Sequence, residues 1–123
     1  MMEKAQQGRP DIPDELLGAS NRLRLALKTD PQGVLATLAG ELDLATAPEL
    51  DQRLDEIAEN EHGRVLIDLR DLEFMDSTGL ASIVRAQQSA DSSGRRLALR
   101  LGSGQVHRLF ELTGMLERLT FED

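Results

Sequence analysis

Apolar and polar residues alternate along this chain with two periods, and the periods predict strands and helices in turn. Leucines at every second position predict a first strand that begins at Asn21. A turn at residues 30–33, Asp-Pro-Gln-Gly, then leads to a second strand over residues 34–39, so that the two strands form a hairpin. Residues 40–45 are interpreted as a loop or as an extension of the second strand. The expected buried face of the first strand consists of Leu23, Leu25 and Leu27.

The next apolar positions recur at helical spacing. Thr46 and Glu49 have the spacing of a capping box, so a helix is expected to begin here and to end within residues 60–63. A largely apolar run over residues 64–69 predicts a central strand that is buried on both faces. Asp68 in this run needs hydrogen-bond partners, and we expect it near the end of the strand in a structural role. The apolar stripe of the helix consists of Leu50, Leu54, Ile57 and Ala58.

The second half of the chain predicts a further helix, strand and helix. The second helix is expected to begin at Asp76 and to end at the Ser-Ser-Gly of residues 92–94. The strand–helix–strand crossover makes its two strands parallel, which together with the hairpin predicts a mixed sheet. Ser103 is expected to cap a third helix, Gly114 to end it, and residues 116–121 to add a short last strand. Alternation in the fourth strand places Leu97, Leu99 and Leu101 on one face.

Length and composition fit one small α/β domain with a mixed β-sheet packed against α-helices. The chain has 123 residues, enough for a single core. Residues 1–20 are polar and interrupted by prolines, so they are interpreted as a flexible N-terminal leader, and residues 21–123 as the domain. No apolar run is long enough for a signal peptide or a membrane span, so a cytoplasmic protein without a membrane partner is expected.

Charge and side-chain inventory exclude several functional classes. The formal net charge is −8, which argues against nucleic acid as a partner and favours a basic protein surface. There is no cysteine, and His62 and His107 lack neighbouring ligands at metal-binding spacing, so no metal and no cofactor are expected. Both histidines are interpreted as surface residues.

The hydroxyl of Ser77 is the most informative functional group of the sequence. It follows Asp76 at an expected helix start, where unpaired backbone N–H groups and the helix dipole favour negative charge. A phosphoryl group on Ser77 would find donors there, whereas Asp76 would repel it, and this balance suits a reversible modification. Asp76 itself is expected to be the N-cap of the helix.

The same residues argue against catalysis by this chain. The sequence around Ser77 lacks the first glycine of a nucleophile elbow, and no histidine is expected to reach it as a base. A glycine-rich phosphate loop with its lysine is also missing, because the only lysines are Lys4 and Lys28. We therefore expect a protein that is not an enzyme.

Three sequence elements together resemble a known family. They are Gly-Glu-Leu-Asp at residues 40–43 with Ala-Pro at 47–48, Phe-Met-Asp-Ser-Thr-Gly-Leu at 74–80 after the strand Leu-Ile-Asp-Leu, and Arg-Leu-Phe-Glu-Leu-Thr-Gly-Met at 108–115. In this order and at these separations, the chain resembles a STAS domain of the bacterial anti-sigma factor antagonist family. The resemblance covers roughly residues 21–121.

The resemblance implies partner switching controlled by phosphorylation. Members of the family, when unphosphorylated, bind an anti-sigma factor that is also an ATP-dependent serine kinase, and so release a sigma factor. The kinase modifies the serine after the motif aspartate, here Ser77, with Thr78 as a weaker acceptor, and a separate serine phosphatase restores the active form. The residues implied in partner binding are Asp43, Asp76, Ser77, Thr78, Gly79 and Leu80.

Alternatives stay open for two of these residues and for the whole chain. Asp43 lies beside Ser77 and faces the partner, or it is an ordinary solvated loop acid. Gly79 lets a partner backbone approach, or it only packs the helix start against the neighbouring loop. The chain as a whole is alternatively a STAS subunit or scaffold of a larger assembly, such as a lipid-transport or stress-sensing complex, without sigma control.

Overall fold

The computed structural model describes residues 22–60 and 63–122. The predicted leader at residues 1–20 and His62 lie outside the described residues. The described elements are, in chain order, β1 (Leu23–Asp30), β2 (Gly33–Leu42), α1 (Ala47–Asn60), β3 (Arg64–Met75), α2 (Ser77–Ser92), β4 (Leu97–Arg100), α3 (Gln105–Leu112) and a 3₁₀ turn (Met115–Glu117).

The strands form one mixed sheet in the order β1-β2-β3-β4. β1 and β2 are antiparallel, joined by a turn in which the Asp30 carboxylate accepts hydrogen bonds from the backbone N–H groups of Gln32 and Gly33 at 2.8 and 3.1 Å. β2 pairs in parallel with β3, and β3 in parallel with β4. Each parallel pair is connected through a helix, α1 or α2, which confirms the mixed α/β fold expected from the sequence.

One face of this sheet forms the main core. The parallel register aligns Val34 with Val65 and Leu97 in one row, and Ala36 with Ile67 and Leu99 in the next. These residues are buried together with apolar side chains of α1, α2 and α3, including Leu50, Ile57, Ile83, Val106 and Phe110. The core is aliphatic apart from an edge-to-face contact between the rings of Phe110 and Phe121, whose centroids are 5.9 Å apart. The helix stripes predicted from spacing therefore do face the sheet.

β2 extends to Leu42, which confirms for residues 40–42 the alternative of a strand extension. Two other strand predictions need correction. β3 extends to Met75, well beyond residue 69, because β2 and β3 keep pairing through two register shifts. Leu27 is 41% exposed and not buried, since β1 is the edge strand and only its beginning is covered.

The expectation for the central strand was also wrong in part. β3 does lie inside the sheet, but the second face is not an apolar layer, and Leu66 on it is half-buried. Asp68 lies on this face in the middle of β3, not near its end, and is only 5% exposed. Its carboxylate accepts hydrogen bonds from the Arg70 side chain and lies 3.8 Å from the Arg100 guanidinium. Burial raises the pKa of Asp68, but the arginine contacts outweigh it, so the net pKa is lowered and the carboxylate is held ionised.

Two predictions near the C-terminus were wrong. Ser103 does not cap α3, because the N-cap position is Gly104, with φ +82°, and it makes no side-chain cap hydrogen bond. Residues 116–121 form no strand beyond a single bridge between Phe121 and Leu99, and Met115–Glu117 is a 3₁₀ turn instead. Gly114 does follow the end of α3, in the left-handed conformation with φ +79°.

Candidate functional site

The carboxyl ends of the parallel strands β2 and β3 meet at one edge of the sheet, and the predicted site residues lie there. Leu42, the last residue of β2, pairs with Met75, the last residue of β3. The next backbone N–H, that of Asp76, donates to the Leu42 carbonyl at 3.1 Å. The segments that follow β2 and β3 therefore begin side by side at this edge of the sheet. In open parallel sheets, this is the edge at which ligands bind.

Residues 43–46, which we call the edge loop, follow β2 and are held by hydrogen bonds at every backbone N–H. The Asp43 N–H donates to Thr46 Oγ1 at 2.9 Å, and the Asp43 carboxylate accepts from the N–H groups of Ala45 and Thr46 at 3.0 and 3.1 Å. The Leu44 N–H donates to the Asp76 carboxylate at 3.2 Å. The edge loop is thus attached both to itself and to the start of α2.

Asp76 is the N-cap of α2, as the sequence predicted. Its backbone is extended, with φ −106° and ψ −175°, and its Oδ1 accepts from the Gly79 N–H at 3.0 Å. Its Oδ2 accepts from the Leu44 N–H. One carboxylate therefore pairs with a backbone N–H of the first helical turn and with a backbone N–H of the edge loop. Asp76 therefore has a structural role.

Ser77 is the first residue of α2 and is exposed. Within the described residues its hydroxyl makes no hydrogen bond. Thr78, the weaker predicted acceptor, is half-buried. Of the two predicted acceptors, Ser77 is therefore the more accessible.

Gly79 and Leu80 lie beneath this surface. Both are buried, and a Cβ atom on Gly79 would lie 2.6 Å from the Leu42 carbonyl oxygen and 2.7 Å from Leu42 Cγ. The close packing of the helix start therefore accounts for the glycine. Of the residues predicted to bind a partner, Asp43, Asp76, Ser77 and Thr78 are exposed or half-buried, whereas Gly79 and Leu80 are buried.

Asp43 is a connected residue and not a freely solvated acid. In addition to its bonds within the edge loop, its Oδ2 accepts from the Arg22 guanidinium at 2.6 Å. Burial by itself raises the pKa of the Asp43 carboxyl, but the hydrogen bonds from Thr46 and Ala45 and the charge of Arg22 outweigh it. The net pKa is therefore below its ordinary value of 3.8.

This depressed pKa predicts a stability contribution that disappears in acid. Because the folded state holds the proton less tightly than the unfolded state, the contribution is complete above the unfolded pKa and is lost as the pH falls through the folded pKa. Replacing Asp43 with asparagine is expected to lower the free energy of unfolding at pH 7 by about 1–2 kcal/mol. Urea denaturation of both proteins at pH 7 and below pH 3.8 measures the difference, which should shrink in acid. As a control, Asp55→Asn on the exposed side of α1 should change the free energy of unfolding by less than about 0.5 kcal/mol.

The capping box predicted at Thr46 and Glu49 is not formed. In a capping box the Glu49 side chain would accept a hydrogen bond from the Thr46 N–H. Here that N–H donates to the Asp43 carboxylate and to the Asp43 carbonyl instead. Thr46 Oγ1 donates to the Glu41 carbonyl instead of capping the helix. Glu49 Oε1 is buried and finds no partner among the described residues, and burial raises the pKa of this carboxyl. The helix nevertheless begins at Ala47, as expected.

Two residues of the site were not identified from the sequence. Leu44 is 73% exposed at the tip of the edge loop, although it follows a leucine-rich stretch that looks like a continuing strand. Gln105 exchanges two hydrogen bonds with the Met75 backbone, at 2.9 and 2.8 Å, and so attaches α3 to the end of β3. The position of Leu44 between charged or turn-forming residues could have indicated its exposure. No residue near Gln105 in the sequence indicated that its side chain would bind the Met75 backbone.

Two general properties of the described residues bear on the site. No group of three or more histidine, aspartate or glutamate side chains in residues 22–60 and 63–122 is arranged to hold a metal ion. Over the same residues, each helix is too short or too polar to cross a membrane.

A mixed sheet whose parallel strands alternate with helices, with an exposed serine after an N-cap aspartate, defines a STAS-type α/β domain. A family model described as "Mlab, STAS domain" matches residues 25–120. An anti-sigma-B factor antagonist of Bacillus subtilis is 32% identical over 93 residues, which cover 76% of this chain and 84% of the relative. The chain therefore belongs to the STAS-domain family of anti-sigma factor antagonists.

Solved structures agree with this fold. The crystal structure of an anti-sigma factor antagonist from Mycobacterium paratuberculosis superposes with a TM-score of 0.72 at 21% identity, covering 80% of this chain and 84% of the other. The Bacillus cell fate determinant SpoIIAA in its phosphorylated form superposes with a TM-score of 0.62 at 19% identity, covering 81% and 92%. These structures share the sheet and helix arrangement described above.

Proposed function

We propose that this protein is an anti-sigma factor antagonist that phosphorylation of Ser77 switches off. The unphosphorylated chain binds an anti-sigma factor with serine-kinase activity and so releases a sigma factor, and a serine phosphatase reverses the modification. The observation that carries this proposal is the Ser77 hydroxyl, which is exposed at the start of α2 and makes no hydrogen bond to another described residue. Relatives of this chain with the same fold bear the name anti-sigma-B factor antagonist.

In this proposal the chain is the substrate and the partner supplies the catalytic groups. The Ser77 oxygen attacks the γ-phosphorus of ATP held by the kinase, the bond to the ADP oxygen breaks, and the hydroxyl proton passes to a base of the kinase. Among the described residues no base lies within hydrogen-bond distance of Ser77, so none of them is placed to activate the serine. We therefore infer that the chain is not an enzyme.

The helix start explains why the modified protein would keep its fold. A phosphoryl group on Ser77 adds nearly two negative charges where the dipole of α2 and its free N–H groups attract them, an effect of about 0.3–1 kcal/mol at an exposed site. The adjacent carboxylate of Asp76 opposes this attraction. Because the two effects oppose each other at an exposed site, phosphorylation changes the surface that a partner meets more than it changes stability.

Incubation with the cognate kinase, ATP and magnesium is expected to add one phosphoryl group, on Ser77. Mass spectrometry of the wild-type chain and of Ser77→Ala measures this directly, and the alanine variant should remain unmodified because the acceptor oxygen is gone. Thr78→Ala is the matched control and should be modified like the wild type, since Thr78 is half-buried. Equal phosphorylation of Ser77→Ala would refute the assignment of Ser77.

The description of the matching family model, "Mlab, STAS domain", favours one alternative. In that alternative the chain is a STAS subunit of a larger assembly, such as a lipid-transport complex, without sigma control. A pull-down from a detergent-solubilised lysate of the native cells separates the two functions: retention of a kinase-like anti-sigma factor supports the antagonist, and retention of a membrane transporter supports the subunit.

A further inference from the structure

Leu44 is an exposed apolar side chain beside the serine that we propose as the switch. It is 73% exposed, and its backbone N–H donates to the carboxylate of Asp76, the residue directly before Ser77. A single exposed leucine is ordinary on a protein surface and means nothing by itself. Its position on the edge loop, and the way this loop is held, distinguish it from other exposed leucines.

The edge loop displays Leu44 on a rigid backbone. The N–H groups of Asp43, Leu44, Ala45 and Thr46 all have partners, and the next one, of Ala47, donates to the Asp43 carbonyl at 2.8 Å. Thr46 is fully buried beneath the loop, which fixes its base. A side chain on such a loop loses little backbone entropy when it binds, because the backbone is already ordered.

The surroundings of Leu44 indicate the chemistry of its partner surface. Phe74, which lies in β3 two residues before Asp76 in the chain, is 40% exposed and is a second exposed apolar side chain near this end of β3. Glu41 pairs with Phe74 in the sheet register, and Arg22 bridges Glu41 and Asp43 at 3.3 and 2.6 Å. Apolar side chains within a charged border match the centre and rim of a protein–protein interface. The net charge of −8 favours basic residues on the opposite side.

We propose that Leu44 is the apolar anchor of the interface with the anti-sigma factor, inserting into an apolar pocket of that partner. The inference rests on the proposed function and adds a residue that determines affinity and partner choice. The backbone N–H of Leu44 donates to Asp76, and Ser77 directly follows Asp76 in the chain. A phosphoryl group on Ser77 therefore lies beside the anchor. One modification then places charge at the border of the apolar contact, where desolvation is most costly.

Truncating the anchor tests the inference. Leu44→Ala is expected to weaken binding of the anti-sigma factor at least about tenfold, measured by calorimetry, since anchors in apolar pockets dominate interface affinity. The KM for this chain as a substrate of the kinase should rise by a similar factor, whereas kcat stays close to that of the wild type. The free energy of unfolding should not change, because the side chain is exposed in the free protein.

The same substitution elsewhere supplies the control. Leu112 at the end of α3 is 71% exposed, and Leu112→Ala should bind the anti-sigma factor like the wild type. If wild-type chain binds the partner but Leu44→Ala binds it equally well, the anchor is refuted and the proposed function stands. If the wild-type chain binds no anti-sigma factor at all, both the anchor and the proposed function are overturned.

Discussion

Ser77→Asp is expected to weaken binding of the anti-sigma factor by about 30-fold or more, which corresponds to about 2 kcal/mol or more. The new carboxylate stands beside Asp76 at the border of the proposed apolar contact, where like charges and lost hydration act together. The fold should be kept, because the first turn of α2 has no acidic residue within the helix and its dipole favours one there. Calorimetric titration gives the affinity, and thermal unfolding gives the stability.

Ser77→Asn separates charge from bulk in this experiment. Asparagine has nearly the same shape as aspartate but no charge, so its affinity should lie between those of the wild type and of Ser77→Asp. If all three proteins bind equally, charge repulsion does not operate at this helix start. If Ser77→Asn is as weak as Ser77→Asp, bulk and not charge disables the surface.

Gly79→Ala is expected to lower the free energy of unfolding by about 2–3 kcal/mol, although alanine is the better helix former by about 1 kcal/mol. A Cβ atom here would approach the Leu42 carbonyl oxygen to 2.6 Å and Leu42 Cγ to 2.7 Å. Backbone of β2 cannot yield as a flexible side chain does, so the start of α2 must move outward. That movement also stretches the bond from the Gly79 N–H to Asp76. Urea denaturation measures the loss.

Gly94→Ala is the control for this substitution. Gly94 follows α2 with φ +71° and has no atom within 4 Å of its would-be Cβ, so only backbone strain opposes alanine. The expected loss is about 1 kcal/mol. Should Gly79→Ala prove as stable as the wild type, the contact between α2 and the end of β2 is looser than described, and the edge loop is less rigidly attached.

Elements governed by nearby residues were predictable from the sequence. Asp76 was predicted as an N-cap because its acceptor and the Gly79 N–H are three residues apart, and the structure confirms this. The helix stripes and the parallel crossover followed from spacing in the same way. The fold class therefore needed no tertiary information.

Predictions failed where a distant or competing group took the hydrogen bond. Thr46 has the correct spacing for a capping box, but Asp43 takes its N–H. Ser103 is a good capping residue, but the chain places Gly104 at the N-cap, and Gln105 turns to the Met75 backbone. The spacing of residues along the chain indicates which hydrogen bonds can form. Which of the competing hydrogen bonds does form depends on the packing of distant segments.

The sequence by itself determined the mixed α/β fold, the N-cap and the position of the Ser77 hydroxyl after it, because each follows from the spacing of residues along the chain. Only the tertiary structure decided that Leu44 hydrogen-bonds across 32 residues to Asp76, and that Gly79 packs on Leu42. Both contacts depend on β2 and β3 ending in register at one edge of the sheet. Register is set by the sum of many pairings along the strands, and no local pattern records it.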